Sequence, residues 1–331
     1  MQEDKKQHRN FRRFGMITVI AVYVLIMVGG IVRSTGSGLG CPDWPKCFGQ
    51  WVPPTDESQL PENYQEIYAI QGKQIEVFNA AKTWTEYFNR LVGVIIGIFI
   101  FITLLLSFAY FKKDPPIFYL SLLSFLLVGF QGWLGSVVVS TNLHPVMITL
   151  HMALALVIVS LLIYVVARSY AKVVQIEKLV DTKGINRLLW LCLALSLAQI
   201  ILGTQVREAV DIVASSLGYT QRETWIERLG MVFYVHRSFS FLVVISNVLL
   251  TYFIYKKSNG SGMIYRWSVG LMSILGLEIL SGIILAYFSI PAFFQPVHLF
   301  FGTLIFGIQF LLIVMLNYYK FTPKASEMAG V

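Results

Sequence analysis

Charge is scarce in this chain. Asp, Glu, Lys and Arg make up 13% of its 331 residues, about half the share of a soluble domain, which is roughly a quarter. With 56% apolar residues and a mean hydropathy of +0.66, a water-facing surface cannot be built around it, and a soluble globular fold is excluded. Cysteine is rarer still, at three residues, with no CxxC pair. There is also no HExxH and no Ser-His-Asp grouping, so zinc-protease and triad-hydrolase chemistry are set aside. The glycines of "GSGLG" have no strand and helix around them and do not form a phosphate loop.

Long apolar runs are plentiful. Eight segments can cross a hydrocarbon core of about 30 Å, at roughly 14–33, 88–110, 117–139, 146–168, 187–206, 230–254, 264–288 and 296–317. The expected fold is an all-α integral membrane protein with both termini on one side. The segments on that side carry 17 of the 26 Lys and Arg residues, so it is expected to be cytoplasmic in the cell (inner or plasma) membrane. That orientation, with contact to anionic lipid, accounts for the net charge of +8, and nucleic acid is not needed to explain it. The first apolar run continues into "GGIVRSTGSGLG" with no A-x-A-like cleavage site and reads as a retained helix. Domain organisation follows: a basic tail over 1–13, a four-helix bundle over 14–168 with an outer loop at 34–87, a linker at 169–186, a second bundle over 187–317, and a tail at 318–331.

The outer loop contains "CPDWPKC", two cysteines separated by five residues in an oxidising compartment. A disulfide between Cys41 and Cys47 that shapes the loop is the main reading, and a redox role is the alternative. Closing so small a ring contributes only about 2–3 kcal/mol. Cys192 in "LWLCLAL" reads as packing.

The two bundles are copies of one another. An offset of 147 residues places Asn89-Arg90 on His236-Arg237, His151 on His298, and "LGSVVVS" on "SGIILAY". The first helices pair more loosely, "VGGIVRSTGSG" with "ILGTQVREAVD". Two tandem four-helix bundles in parallel topology are the economical interpretation.

Only five histidines are present, so their placement is informative. His8 lies in the basic tail and His144 in the short loop "TNLHP", a surface or capping position. His151, His236 and His298 each fall early in an even-numbered span, where an ionisable residue is costly and points to function. One such histidine could be a satisfied interhelical hydrogen bond; three at repeat-related positions, with the fourth still polar, are better explained together. A small residue follows each at i+4 on the same face: Gly93, Ala155, Ser240 and Gly302. This clearance suits a flat macrocycle, and imidazole is an ordinary axial ligand of haem iron. His236 and His298 together could hold a six-coordinate haem. His151 faces Asn89, a poor iron ligand, which leaves a sixth position weak or open.

Arg33, Arg90, Arg207 and Arg237 stand at the outer helix ends. They can bind propionates or lipid headgroups in a fork, or merely snorkel to the interface. Glu86 is one turn before Asn89, where the second half has Phe233. It is a candidate acid, base or stabiliser of a developing cation, with a helix-dipole charge as the alternative. Glu278 aligns with Gln131 and can pair with a neighbouring helix.

These residues resemble the haem A synthases of the cytochrome oxidase assembly pathway over nearly the whole chain. The resemblance is carried by "GGIVRSTGSGLGCPDWPKCFG", "EYFNRLVG", "GWLGSVVVSTNLHPVMITLHMALAL", "GTQVRE", "HRSFSF" and "PVHLFFG". It implies oxidation of the C8 methyl of haem O to the formyl of haem A. It also implies that His151 holds the substrate iron, that Glu86 assists catalysis, that His236 and His298 ligate a haem b, and that Cys41 and Cys47 are the family's outer-loop pair. It implies haem O as substrate and a haem O synthase that delivers it; membrane lipid is expected from the composition, and a quinone or other electron acceptor and further copies of the chain are additional candidate partners. One position departs: many members have histidine where this chain has Asn89. A di-haem electron-transfer protein without haem-modifying activity is the alternative, since it needs the haems but not Glu86. A tandem-repeat transporter is a third reading, and the histidine pattern argues against it.

Overall fold

The computed structural model describes residues 2–170, 173, 174 and 176–320. Part of the expected linker (171, 172 and 175), residue 1, and the expected tail from 321 onward lie outside the described residues. Eight helices are long and apolar enough to span a membrane. They are α1 (Gln2–Ser34), α2 (Ala80–Ser107), α3 (Pro115–Ser140), α4 (Pro145–Ser169), α5 (Lys183–Ser216), α6 (Met231–Ser258), α7 (Gly262–Tyr287) and α8 (Phe294–Leu316). No strand occurs among the described residues. A helix satisfies its own backbone N–H and C=O groups, which is what an apolar medium demands.

Local signals set the helix ends. The Asn79 side chain accepts from the Lys82 N–H at 3.0 Å and caps α2. Prolines open α3 and α4 at positions where the missing N–H has no intrahelical partner anyway. Asn259 closes α6 in the left-handed region, at φ 51°. Three expectations shift. The basic tail is a continuation of α1, α2 begins eight residues earlier than its apolar run, and α5 runs ten residues past 206.

Within the first half α1 packs on α2, α2 on α3, α3 on α4 and α4 on α1; within the second half α5, α6, α7 and α8 repeat the same ring. This is the pattern expected of two tandem bundles. The halves meet where α8 packs on α1 and α4, and α4 on α5. At that seam a methyl group on Gly30 would stand 3.0 Å from Pro296 Cβ, so close approach of α1 and α8 requires glycine there. Each half has a buried apolar core, with Val22, Ile96, Ile100, Ile158, Val159 and Leu162 in the first and Leu189, Leu250, Leu271 and Leu312 among those in the second.

The two ends of the molecule differ. At the terminal end His8 Nε2 lies 3.1 Å from the Ala109 carbonyl oxygen, and the Tyr318 hydroxyl donates to the carbonyls of Tyr170 and Val174. At the opposite end the segment 35–79 folds down as a cap. Its core is Cys41, Cys47, Phe48 and Tyr64. The cap is tied to α2 by Trp84, which donates to the Pro54 carbonyl at 3.2 Å, and by Tyr87, which donates to the Trp51 carbonyl at 2.6 Å.

Candidate functional site

Helices α6 and α8 lie diagonally across the second ring, and their histidines meet in its interior. The ring centroids of His236 and His298 are 6.3 Å apart, with planes at 74°. Two imidazoles bound to opposite sides of one metal, with bonds of about 2.0 Å, place their centroids roughly 6 Å apart. The spacing fits one iron between them. Among the described residues no group of three or more His, Cys, Asp or Glu could hold a metal ion unaided.

The four polar positions share a frame. Each stands against a glycine of the preceding helix: a methyl on Gly135 would lie 3.4 Å from His151 Cε1, on Gly203 3.4 Å from His236 Cε1, on Gly282 3.1 Å from His298 Cε1, and on Gly29 4.0 Å from Asn89 Oδ1. Gly29 and Gly203 are 174 residues apart, as are Arg33 and Arg207. This corrects the pairing of the first helices by one residue. One turn before three of these glycines stands Gln131, Gln199 or Glu278. Gln131 donates to the His151 carbonyl at 2.9 Å and Gln199 to the His236 carbonyl at 3.0 Å. The Gln/Glu-x3-Gly spacing is visible in the sequence at 131–135, 199–203 and 278–282 and marks where each histidine packs. The Nδ1 atoms of His151 and His236 are buried without a hydrogen-bond partner among the described residues.

Glu86 is not at the dipole end of its helix, because α2 starts at Ala80. It is buried, at 5% exposure, and pairs with Arg90 one turn on. Glu86 Oε1 accepts from Arg90 Nε at 3.2 Å and from Nη2 at 2.9 Å. The remaining Arg90 donors go to the carbonyls of Asp43 at 2.7 Å, Lys46 at 2.9 Å and Cys41 at 2.8 Å. All five N–H groups are thus engaged, and the fork grips the loop. Cys41 and Cys47 are disulfide-bonded and fully buried, so the ring they close is the surface that Arg90 holds. Nearby, Tyr64 donates to Glu57 at 2.9 Å and accepts from the Phe78 N–H at 2.9 Å. Burial pushes its phenol above the ordinary range.

The other arginines divide. Arg33 pairs with Asp211 at 2.5 Å and Arg207 pairs with it at 2.6 Å; Arg207 also donates to the Arg33 carbonyl and to Gln295. This network joins α1, α5 and α8 at the seam between the halves. Asp211 had no signal of its own, because it lies beyond the apolar run of α5. Arg237 is exposed, over the rings of Phe233 and Tyr234 at 5.8 and 5.6 Å, and its guanidinium makes no hydrogen bond among the described residues. His144 makes no side-chain cap bond at the start of α4, and Cys192 is buried in the second core.

Fold and site together define a multi-pass helical membrane protein with repeat-related histidine sites inside its bundles. The profile of a family described as cytochrome oxidase assembly protein matches residues 12–310. The chain is 25% identical to the Heme A synthase of Flavobacterium johnsoniae, over 89% of this chain and 94% of that one. It is 24% identical to the Heme A synthase of Brucella anthropi, over 90% and 89%. A match at 29% to the Heme A synthase of Shewanella oneidensis spans less than half of either chain, 46% of this one and 44% of that one. The chain belongs to the haem A synthase family of cytochrome oxidase assembly proteins.

Proposed function

We propose that this chain oxidises the C8 methyl group of haem O to a formyl group, giving haem A, in a site within α1–α4, with a haem b resident in α5–α8. The observation that carries the reading is the matched geometry of the two halves. The second half sets two imidazoles 6.3 Å apart, and the first half repeats the frame with one imidazole, His151, and an amide, Asn89.

In the first half His151 holds the substrate iron from one side, while Asn89 leaves the opposite side open to an oxidant. Glu86 keeps its carboxylate one turn from Asn89. Both Arg90 bonds go to Oε1, so Oε2 is the oxygen that takes a proton from, or stabilises positive charge at, the reacting methyl. Successive hydroxylations of the methyl carbon give a hydrate that loses water to the aldehyde. The cap of residues 35–79 shields the site from bulk water.

In the second half His236 and His298 would hold the haem b, which when bound would supply one-electron transfer toward a quinone or another acceptor. Arg237, with donors free among the described residues, binds a propionate. Arg33 and Arg207 hold the two halves in register. The basic, terminal end faces the cytoplasm, and a haem O synthase delivers the substrate within the membrane.

The test is expression in a host that makes haem O but no haem A, followed by extraction and chromatography of the haems with mass detection. Haem A is expected, and its yield should fall by about 10²-fold or more on Glu86→Ala, the usual range for loss of a general acid or base. Haem B alone, bound while haem O is abundant, would overturn the reading in favour of an electron carrier.

A further inference from the structure

The interior of the second half holds a polar pair that the first half lacks. Asn247 follows His236 by 11 residues on α6, and Gln309 follows His298 by the same 11 on α8. Eleven residues make about three helical turns, so each amide shares a face with the histidine above it and lies about 16 Å nearer the terminal end. Both are fully buried, at 0% exposure. Gln309 Nε2 donates to Asn247 Oδ1 at 3.0 Å, and Asn247 Nδ2 donates to the Val243 carbonyl at 2.8 Å. Gln309 Oε1 is buried with no hydrogen-bond partner among the described residues. The repeat offset of 147 places Ile100 and Leu162 on these two positions in the first half, and both belong to its apolar core. A polar pair at this depth is costly, and only one of the two copies carries it.

We infer that Asn247 and Gln309 are specificity-determining residues: they exclude from the second half a haem that carries a farnesyl tail, while Ile100 and Leu162 admit one to the first half. This rests on the reading that each half holds a haem, with its propionates toward the capped end. Haem O differs from haem B by a hydroxyethylfarnesyl chain on the ring edge opposite the propionates. With the propionates at the Arg237 end, that edge points toward the terminal end of the bundle. The chain is roughly three helical turns long when extended, and it reaches the level of residues 247 and 309. Between Ile100 and Leu162 it exchanges one apolar neighbour for another. Between Asn247 and Gln309 it either parts the 3.0 Å amide bond or seals Gln309 Oε1 from water, and a hydrocarbon has no donor to offer in return. Discrimination thus comes from penalising the wrong haem, with no contact to the ring that both haems share.

The experiment uses the full-length chain with His151→Ala, so that the second half alone keeps two imidazoles, expressed in a host that makes haem B and haem O but no haem A. The haems bound to the purified protein are extracted and separated by chromatography with mass detection, and the ratio of haem O to haem B is divided by that of the host membrane. This parent should take haem B almost alone. Adding Asn247→Leu with Gln309→Met should raise the ratio about tenfold or more, the factor for one buried amide oxygen no longer left without a donor. The two replacements keep side-chain volume and remove both partners together, a change that folds tolerate. A loaded double variant with the parent's ratio, or a parent that takes both haems equally, overturns the proposal. If the double variant retains no haem, Gln309→Met alone decides. A raised haem O share then supports the proposal; an unchanged share, or loss of haem here as well, makes the pair a packing lock between α6 and α8 and overturns it. A parent with no low-spin bis-imidazole signal would instead remove the ligand assignment underneath, an outcome separate from the others.

Discussion

An amide at Asn89 and an imidazole at His236 occupy the same register on α2 and α6, each against a glycine of the preceding helix. Asn89→His should therefore convert the first site into a second bis-imidazole centre. With haem loaded, we expect a second low-spin signal by electron paramagnetic resonance; a spectrum identical to wild type would mean that residue 89 does not face the iron. Arg90 allows a sharper energetic statement. Removing it leaves Glu86 buried without its partner and three loop carbonyls without donors, so Arg90→Ala should cost roughly 3–5 kcal/mol, the range for breaking a buried ion pair from one side. Denaturant unfolding in detergent measures that loss, and faster proteolysis within 35–79 should accompany it. Lysine should rescue little, because a single ammonium cannot reproduce a planar fork that reaches Glu86 and three carbonyls. The histidines stood out in the sequence because ionisable residues in apolar runs are conspicuous, and Glu86 because the aligned position in the second half is Phe233. The engagement of Arg90 did not, since its partners lie 44 to 49 residues away in the chain.

Among the elements, the odd-numbered helices act as walls and the even-numbered ones carry Asn89, His151, His236 and His298. Gly203 is the thin place in one wall. Gly203→Val should push the His236 ring from its position at an overpacking cost of about 1–3 kcal/mol, and the C-terminal haem should fall well below one per chain while the fold persists. Absorbance of the extracted haem against protein concentration gives the ratio; an unchanged ratio would count against the glycine's role. The cap has a pH limit of its own. The Tyr64 phenol titrates above its ordinary value because it is buried, so its contribution to the cap is complete below about pH 10 and is lost as pH rises through the folded value. Increased protease cutting of 35–79 at high pH, absent in Tyr64→Phe, is the expected sign. Span positions were legible because the bilayer imposes a length of apolar sequence. The extra turns of α5 were hidden because "REAVDIVASS" is helical but polar on one side, outside the reach of a hydropathy window.

For the molecule as a whole, the seam between halves is the feature that no local pattern announces. Arg33 of α1 and Arg207 of α5, repeat-related residues, converge on the single carboxylate of Asp211. Asp211→Ala leaves two guanidinium groups facing each other with no anion between them. We expect a lower midpoint of thermal unfolding, partly recovered at high salt as the repulsion is screened; a salt-independent midpoint equal to wild type would show that the apolar contacts of α8 with α1 and α4 hold the halves alone.

Composition and spacing by themselves determined the class of fold, the number of spans and the 147-residue spacing that relates His151 to His298 and Asn89 to His236, because a membrane imposes a set length of apolar sequence on each span. The tertiary structure alone decided which histidines face each other, that Arg90 grips the disulfide loop, and that Asp211 joins the halves. Those outcomes depend on rotamer and on helix rotation about its axis, and both are settled only when neighbouring helices compete for the same space.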